Sequence, residues 1–316
     1  MIEANRPYAL EDTLSDLICD NRQLLMAISR FGIPLSLAGR PVSELGECAG
    51  VNPHTFLAVA NLTSGMEYSV DGVTLASLVG YLKRAHAYFL DFFLPGIRRK
   101  LLDAIDFGAD PDLASGVLRF FDDYVGEVRR HMGYENDNLF AYVDRLLAGE
   151  RDAGYAVGIF AAHHDAVSHK LRRLKDVLMR YCPPGNADLL NSVLFDIINC
   201  EDDLECHCRV EDNILVPVVA RVESSIVPTA CSQPGKTVDS DSPEADISLG
   251  RREREIIAAV AKGWSNKEIA DRLCISVHTV ATHRRNICAK LAIHSSAGLT
   301  VYAILNGLVD LKDIDL

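Results

Sequence analysis

Two stretches, His131-Met-Gly-Tyr-Glu135 and His207-Cys-Arg-Val-Glu211, repeat one pattern 76 residues apart: a histidine and, four positions on, a glutamate. On an α-helix, residues i and i+4 share a face one turn apart, so each pair aims an imidazole and a carboxylate at the same point. That arrangement is a metal clip. Each clip runs on into apolar residues, Leu139, Phe140 and Val143 after the first and Ile214, Leu215 and Val218 after the second. Two clips on facing helices would pool their ligands inside a bundle. One H-x-x-x-E alone reads as a surface turn; its repetition, with further histidines between and before, favours a metal. Cys206 and Cys208 flank His207, but each lies about 100° around the helix from it, so both read as packing residues, with a thiol redox switch as the alternative.

Four long helical segments position these groups. The first, about 75–105, carries His86 among Leu82, Phe89, Leu90 and Phe93, with a kink expected at Pro95-Gly96. The second, 112–147, carries His131 and Glu135; the third, about 156–181, carries His163, His164 and His169; the fourth, 187–222, carries His207 and Glu211. The breaks at Gly108-Ala-Asp-Pro111, Gly149 to Gly154 and Cys182-Pro-Pro-Gly185 are short, which makes consecutive helices antiparallel neighbours in an up-down-up-down bundle. Ahead of it, residues 1–72 form a small helical unit. Its first helix starts at Thr13 or Ser15 and ends near Phe31-Gly32, and shorter helices follow at 43–48 and 54–62, with Cys48 expected in the core and His54 on the surface.

At 316 residues the chain has room for two or three domains, each with its own core. Residues 224–246 lose apolar periodicity and crowd Ser, Thr and Asp around Pro228, Pro234, Gly235 and Pro243, the composition of a linker. The expected organisation is therefore all-α, with a helical unit at 1–72, a bundle at 73–223, a linker at 224–246 and a C-terminal domain at 247–316. The net charge of −12 is uneven: residues 246–316 hold 10 Lys+Arg against 8 Asp+Glu, so only this end suits a polyanion. Nine irregularly spaced cysteines fit reduced thiols, no run of about 18 apolar residues offers a membrane helix, and the start has no signal-like apolar segment. A cytoplasmic protein is expected.

The C-terminal segment divides into four short helices at about 251–262, 266–273, 277–291 and 297–306. The turn Cys274-Ile275-Ser276 is tight, and Ser276 is placed to cap the helix after it. That helix bears Thr279, Thr282, His283, Arg284, Arg285 and Lys290, the pattern of a helix-turn-helix with its recognition helix. Gly263-Trp-Ser-Asn-Lys267-Glu-Ile-Ala270, Leu273-x-Ile275-Ser276, Thr279-Val280-x-Thr282-His283 and Ile287-x-x-Lys290-Leu291 together resemble the LuxR-type family of transcription-factor output domains over about 65 residues. The resemblance implies that Thr282 and Arg285 face base edges of double-stranded DNA, while Lys267, Arg284 and Lys290 hold phosphates. It also implies a homodimer through the last helix, at Leu299, Tyr302 and Ala303. Ala281 stands where that family usually has lysine, which removes one expected contact.

Residues 75–223 resemble the hemerythrin-like family, and most closely the di-iron proteins credited with repairing iron–sulfur clusters; Asp12-Thr-Leu-x-Asp-Leu-Ile and Phe31-Gly-Ile extend that likeness to the start of the chain. The resemblance implies ligands at His86, His131, Glu135, His164, His207 and Glu211, with Glu135 and Glu211 bridging two metals. The family's further histidine near Asp106 has no counterpart, which leaves an open position, recruitment of Asp103 or Asp106, or a single metal. The donor set suits non-haem iron, which the resemblance implies is bound as a pair, with Zn or Mn as alternatives. Ser36-Leu-Ala-Gly39 replaces the repair family's cysteine doublet and so favours a sensor over an enzyme. The expected function is a DNA-binding regulator that senses O2, NO or redox state. The alternatives are a di-iron enzyme of nitrosative or oxidative stress defence and a constitutive DNA-binding protein. No strand–helix alternation of a phosphoacceptor receiver precedes residue 223, so a partner kinase is not the expected input.

Overall fold

The computed structural model describes residues 6–106, 108, 110–151, 156–158, 169–181, 186–226, 249–293 and 295–313. Among these the regular elements are helical, and one isolated bridge joins Thr13 to Pro41. No single described helix is long and apolar enough to cross a membrane. The chain divides into two compact units, one of 1–93, 128–167 and 202–235, the other of 94–127, 168–201 and 236–316.

The first unit opens with α1 (Leu14–Asp20), α2 (Leu24–Phe31), α3 (Leu45–Ala49) and α4 (Pro53–Thr63). The single first helix that the apolar spacing suggests is thus two. Asn21 separates them, because its side-chain oxygen accepts from the Gln23 amide and its side-chain amide donates to Ser64 Oγ at 2.8 Å. α2 ends at Gly32, whose φ of 73° is a left-handed conformation open to glycine at little cost. α4 starts with Asn52 capping the Thr55 amide and Pro53 in the first turn, where its missing N–H removes no bond. Cys48 is exposed rather than in the core: α3 is only five residues long, and Leu45 is the side chain it buries.

α5 (Leu75–Ala87), α8 (Ala141–Leu147) and α11 (Val216–Ser225) complete the first unit, together with the parts of longer helices that fall in it. One continuous apolar core runs through all of these, from Phe31, Phe56 and Tyr81 to Phe140, Val143, Ile214 and Val218. The helices α1 to α4 therefore share their core with the helices that carry the histidines, and burial of that shared surface is what holds them together.

The long helices are not uniformly α. Wider π-type turns occupy Tyr88–Phe93, Glu135–Phe140 and Glu211–Leu215. The first and last precede Pro95 and Pro217. A proline cannot donate to the carbonyl four residues back and its ring crowds it; those carbonyls, of Asp91 and Asn213, lie inside the widened turns. The irregularity expected at Pro95-Gly96 thus falls just before it. No proline accompanies the turn at 135–140.

The second unit contains α6 (Leu94–Ala104), α9 (His169–Tyr181) and the terminal helices α12 (Arg251–Ala261), α13 (Asn266–Leu273), α14 (Val277–Leu291) and α15 (Ser296–Leu305). Two helices, α7 (Pro111–Tyr134) and α10 (Ala187–Val210), are divided between the units. α15 packs on α12 and on α9. Arg119 donates to Leu291 O at 3.2 Å and Arg173 to Leu305 O at 3.4 Å, so two arginines satisfy carbonyls at the C-terminal ends of α14 and α15.

Candidate functional site

α5, α10 and the π turns after α7 and α10 bring His86, Glu135, His207 and Glu211 together in the first unit. One ligand atom of each lies within 4.8 Å of those of the other three. Their side chains are 2%, 0%, 1% and 0% exposed. His86 Nε2 is 3.1 Å from His207 Nε2 and 3.3 Å from Glu135 Oε2, and His207 Nε2 is 3.2 Å from Glu211 Oε1. His131, 22% exposed, stands at the edge of the cluster, with Nε2 3.1 Å from Glu135 Oε1. The two oxygens of Glu135 thus reach two different imidazoles. His164 lies outside the described residues, as does His163.

Two fully buried carboxylates this close repel each other and lose their hydration, a cost of several kcal/mol unless a cation or protons intervene. His207 shows the resulting tension. Burial disfavours its charged form, but the carboxylates of Glu211 and then Glu135 outweigh burial and raise its pKa above the usual imidazole value. His86 is oriented by Asn136, whose Oδ1 is 3.1 Å from Nδ1. With that amide oxygen as acceptor, Nδ1 would be the donor and Nε2 would face His207 and Glu135. Phe140 stacks on the His86 ring at 5.4 Å. This oxygen-and-imidazole donor set, buried and convergent, fits a divalent transition metal.

Sequence spacing did not expose Asn136, because position i+1 on a regular helix points about 100° away from Glu135. The signal for a second missed pair was present in the stripe Asp203, His207, Glu211. Asp203 lies one turn before His207 and takes both guanidinium arms of Arg30, at 2.8 and 2.5 Å. Cys206 is turned away from the cluster, as the helical angle requires; its Sγ lies 3.5 Å from Thr63 Oγ1, and burial raises its pKa.

In the second unit, α13 and α14 form the helix-turn-helix. Ser265 caps α13 and its box is closed by Glu268; Ser276 caps α14, accepting from the Thr279 amide at 3.0 Å. The linking residue Cys274 has φ 52°, a left-handed conformation that costs a non-glycine roughly 1–2 kcal/mol. Arg272 stacks over Trp264 at 3.8 Å. Lys267 and Arg285 are exposed. Thr279 and His283 are half-buried, and Thr282 donates its hydroxyl back to His278 O. Arg284 donates to Asn266 Oδ1 at 2.7 Å, and Lys290 pairs with Glu253 at 2.8 Å, so both bind within the module.

Residues 77–219 match the family model described as Hemerythrin HHE cation binding domain, and residues 247–303 match Bacterial regulatory proteins, luxR family. The chain thus carries a hemerythrin-type cation-binding domain joined to a LuxR-type DNA-binding regulatory domain, and both are helical. Among its relatives, the Oxygen regulatory protein NreC of Staphylococcus carnosus is 37% identical over 90 residues, which cover 28% of this chain and 41% of that protein. The Transcriptional regulatory protein MctR of Rhizobium johnstonii is 46% identical over 66 residues, covering 21% of this chain and 31% of its own. The alignments span well under half the length of these relatives. No solved structure matches.

Proposed function

We propose that this chain is a cytoplasmic transcription regulator whose hemerythrin-type bundle holds a non-haem di-iron centre and reports O2, NO or redox state to the DNA-reading module. The observation that carries the reading is the convergence of His86, Glu135, His207 and Glu211, buried, in one chain with a LuxR-type domain. Iron bound there would supply affinity for a small diatomic ligand and a reversible change of oxidation state. Glu135, with each oxygen directed at a different imidazole, suits a bridge between two metals; Glu211 is its counterpart on the second clip. His131 and His164 complete the proposed ligand set. Asn136 holds His86 in the tautomer that leaves Nε2 free to ligate. The family's further histidine has no counterpart in this chain, and the coordination position it would leave open is the proposed place of the small ligand.

For the output, we assign base contacts to Thr282 and Arg285 and phosphate contacts to Lys267, Arg284 and Lys290, with Thr279 and His283 on the same helix. Arg284 and Lys290 would exchange internal partners for phosphate oxygens. Dimerisation through α15 requires that helix to be exposed, whereas Leu299 and Ala303 are buried and α9 packs on α15. Release of α9, Arg119 and Arg173 from α14 and α15 is therefore the proposed switching step. The proposed organisation keeps a helical unit at 1–72, the bundle at 73–223, a linker at 224–246 and the DNA-binding domain at 247–316.

The test is iron content and operator binding of the full chain, reduced, air-exposed and NO-exposed, beside a Glu135→Ala variant. Iron in the wild-type chain alone, with DNA affinity that follows its state, supports the reading. DNA affinity indifferent to iron and oxidant overturns the sensor. Turnover of NO or peroxide without any effect on DNA binding would replace it with the enzyme.

A further inference from the structure

Residues 6–76 precede both matched domains, yet one of their side chains reaches the surroundings of His207. Arg30, near the end of α2, is 4% exposed, and both of its terminal nitrogens bond the two oxygens of Asp203. Asp203, His207 and Glu211 succeed one another at intervals of four on the same helical stripe. The guanidinium carbon lies 4.9 Å from the centroid of the Phe89 ring, and Phe89 meets the His207 ring edge-on at 6.0 Å. Arg30 therefore grips the helix that presents His207 and also packs on the ring that packs on His207. The end of α2 is itself anchored, because Arg84 donates to the carbonyls of Arg30 and Phe31.

The first clip offers a control within the molecule. Glu127 lies four residues before His131, as Asp203 does before His207, and it too has a cationic partner, Lys170. That pair is more open to solvent, at 42% and 33% exposure against 4% and 20% for Arg30 and Asp203, and a lysine has no fork, so it fixes less. A planar guanidinium bound at two points in an apolar setting fixes both the rotation and the height of the helix it holds. We propose that Arg30 is a positioning residue of the metal centre, holding Asp203 and Phe89 so that His207 faces Glu211 and His86, and that the N-terminal helices are part of the site. This inference rests on the reading of the cluster as a metal site.

A buried ion pair that only stabilises can be exchanged for apolar residues of similar volume without loss. The full chain with Arg30→Met and Asp203→Leu together separates the two roles. Ferrous iron is the probe, its affinity read by competition with a chelator and the fold by circular dichroism and thermal unfolding. Because groups that orient metal ligands are worth roughly 10–100-fold in metal affinity, a folded double variant should bind iron weaker by that factor. A folded double variant with wild-type affinity overturns the proposal. Arg30→Lys keeps the charge and removes the fork, and it decides the matter should the double variant not fold: weaker iron binding supports positioning, unchanged binding overturns it. A wild-type chain that takes up no ferrous iron instead overturns the metal reading itself.

Discussion

The metal-bearing helices and the DNA-reading module handle their functional side chains in opposite ways. In the first, four ionisable groups sit at or below 2% exposure inside an apolar core. In the second, the core of Ile256, Ile269, Val280, Ile287 and Leu291 is wholly apolar, and charges stand at its surface. The first region gives up stability to hold chemistry, and the second gives up almost none. Buried charge is costly without a counter-ion, whereas surface charge is nearly neutral for folding until DNA arrives.

The largest expected effect tests the buried side of this contrast. Glu135→Leu with Glu211→Leu should abolish iron uptake, measured by metal analysis, while the metal-free chain melts no lower than wild type, because two unhydrated carboxylates have gone. A large fall in the melting temperature of the metal-free protein would mean that these groups are structural. On the surface side, Arg285→Ala should weaken operator binding by about 1–3 kcal/mol, roughly 10–100-fold, and relax sequence preference, with the thermal transition unmoved. Lys267→Ala should weaken binding to all sequences alike and lower the salt slope by about 1. Equal loss on specific and random DNA for Arg285→Ala would move it from base contact to phosphate contact.

Smaller effects sharpen the description of the module. Ser276→Ala removes the cap on the Thr279 amide and should destabilise the helix-turn-helix by about 1 kcal/mol in chemical denaturation. The smallest concerns Glu253, whose carboxyl is held below its ordinary range by Lys290 and by the Gly250 amide. A group with a lowered folded pKa stabilises above its unfolded pKa, and that contribution is lost as pH falls through the lowered value. Lys290→Ala should therefore flatten the acid end of the stability profile, and an identical profile would show that the pair contributes nothing.

Much of both regions was legible in the sequence. The turn Cys274-Ile275-Ser276, the cap at Ser276 and the four terminal helices stand where local signals put them, because capping and short turns are decided by a few adjacent residues. The i,i+4 clips likewise placed Glu135 and Glu211 beside His131 and His207. Less legible were the break at Asn21, which depends on Ser64, and the exposure of Cys48, which depends on how short α3 is. The π turns were hidden as well, although Pro95 and Pro217 were signs of two of them.

By itself, then, the sequence determined the helical periodicity, the two clips, the capped recognition helix and the uneven charge, all of which follow from spacing along the chain. Only the tertiary structure decided that His86 meets His207, that the Asn136 side chain meets His86 Nδ1 and that Arg30 reaches Asp203 across 173 positions. Those contacts join residues far apart in the chain, and no local rule of helix geometry determines which of many compatible faces a packed core will bring together.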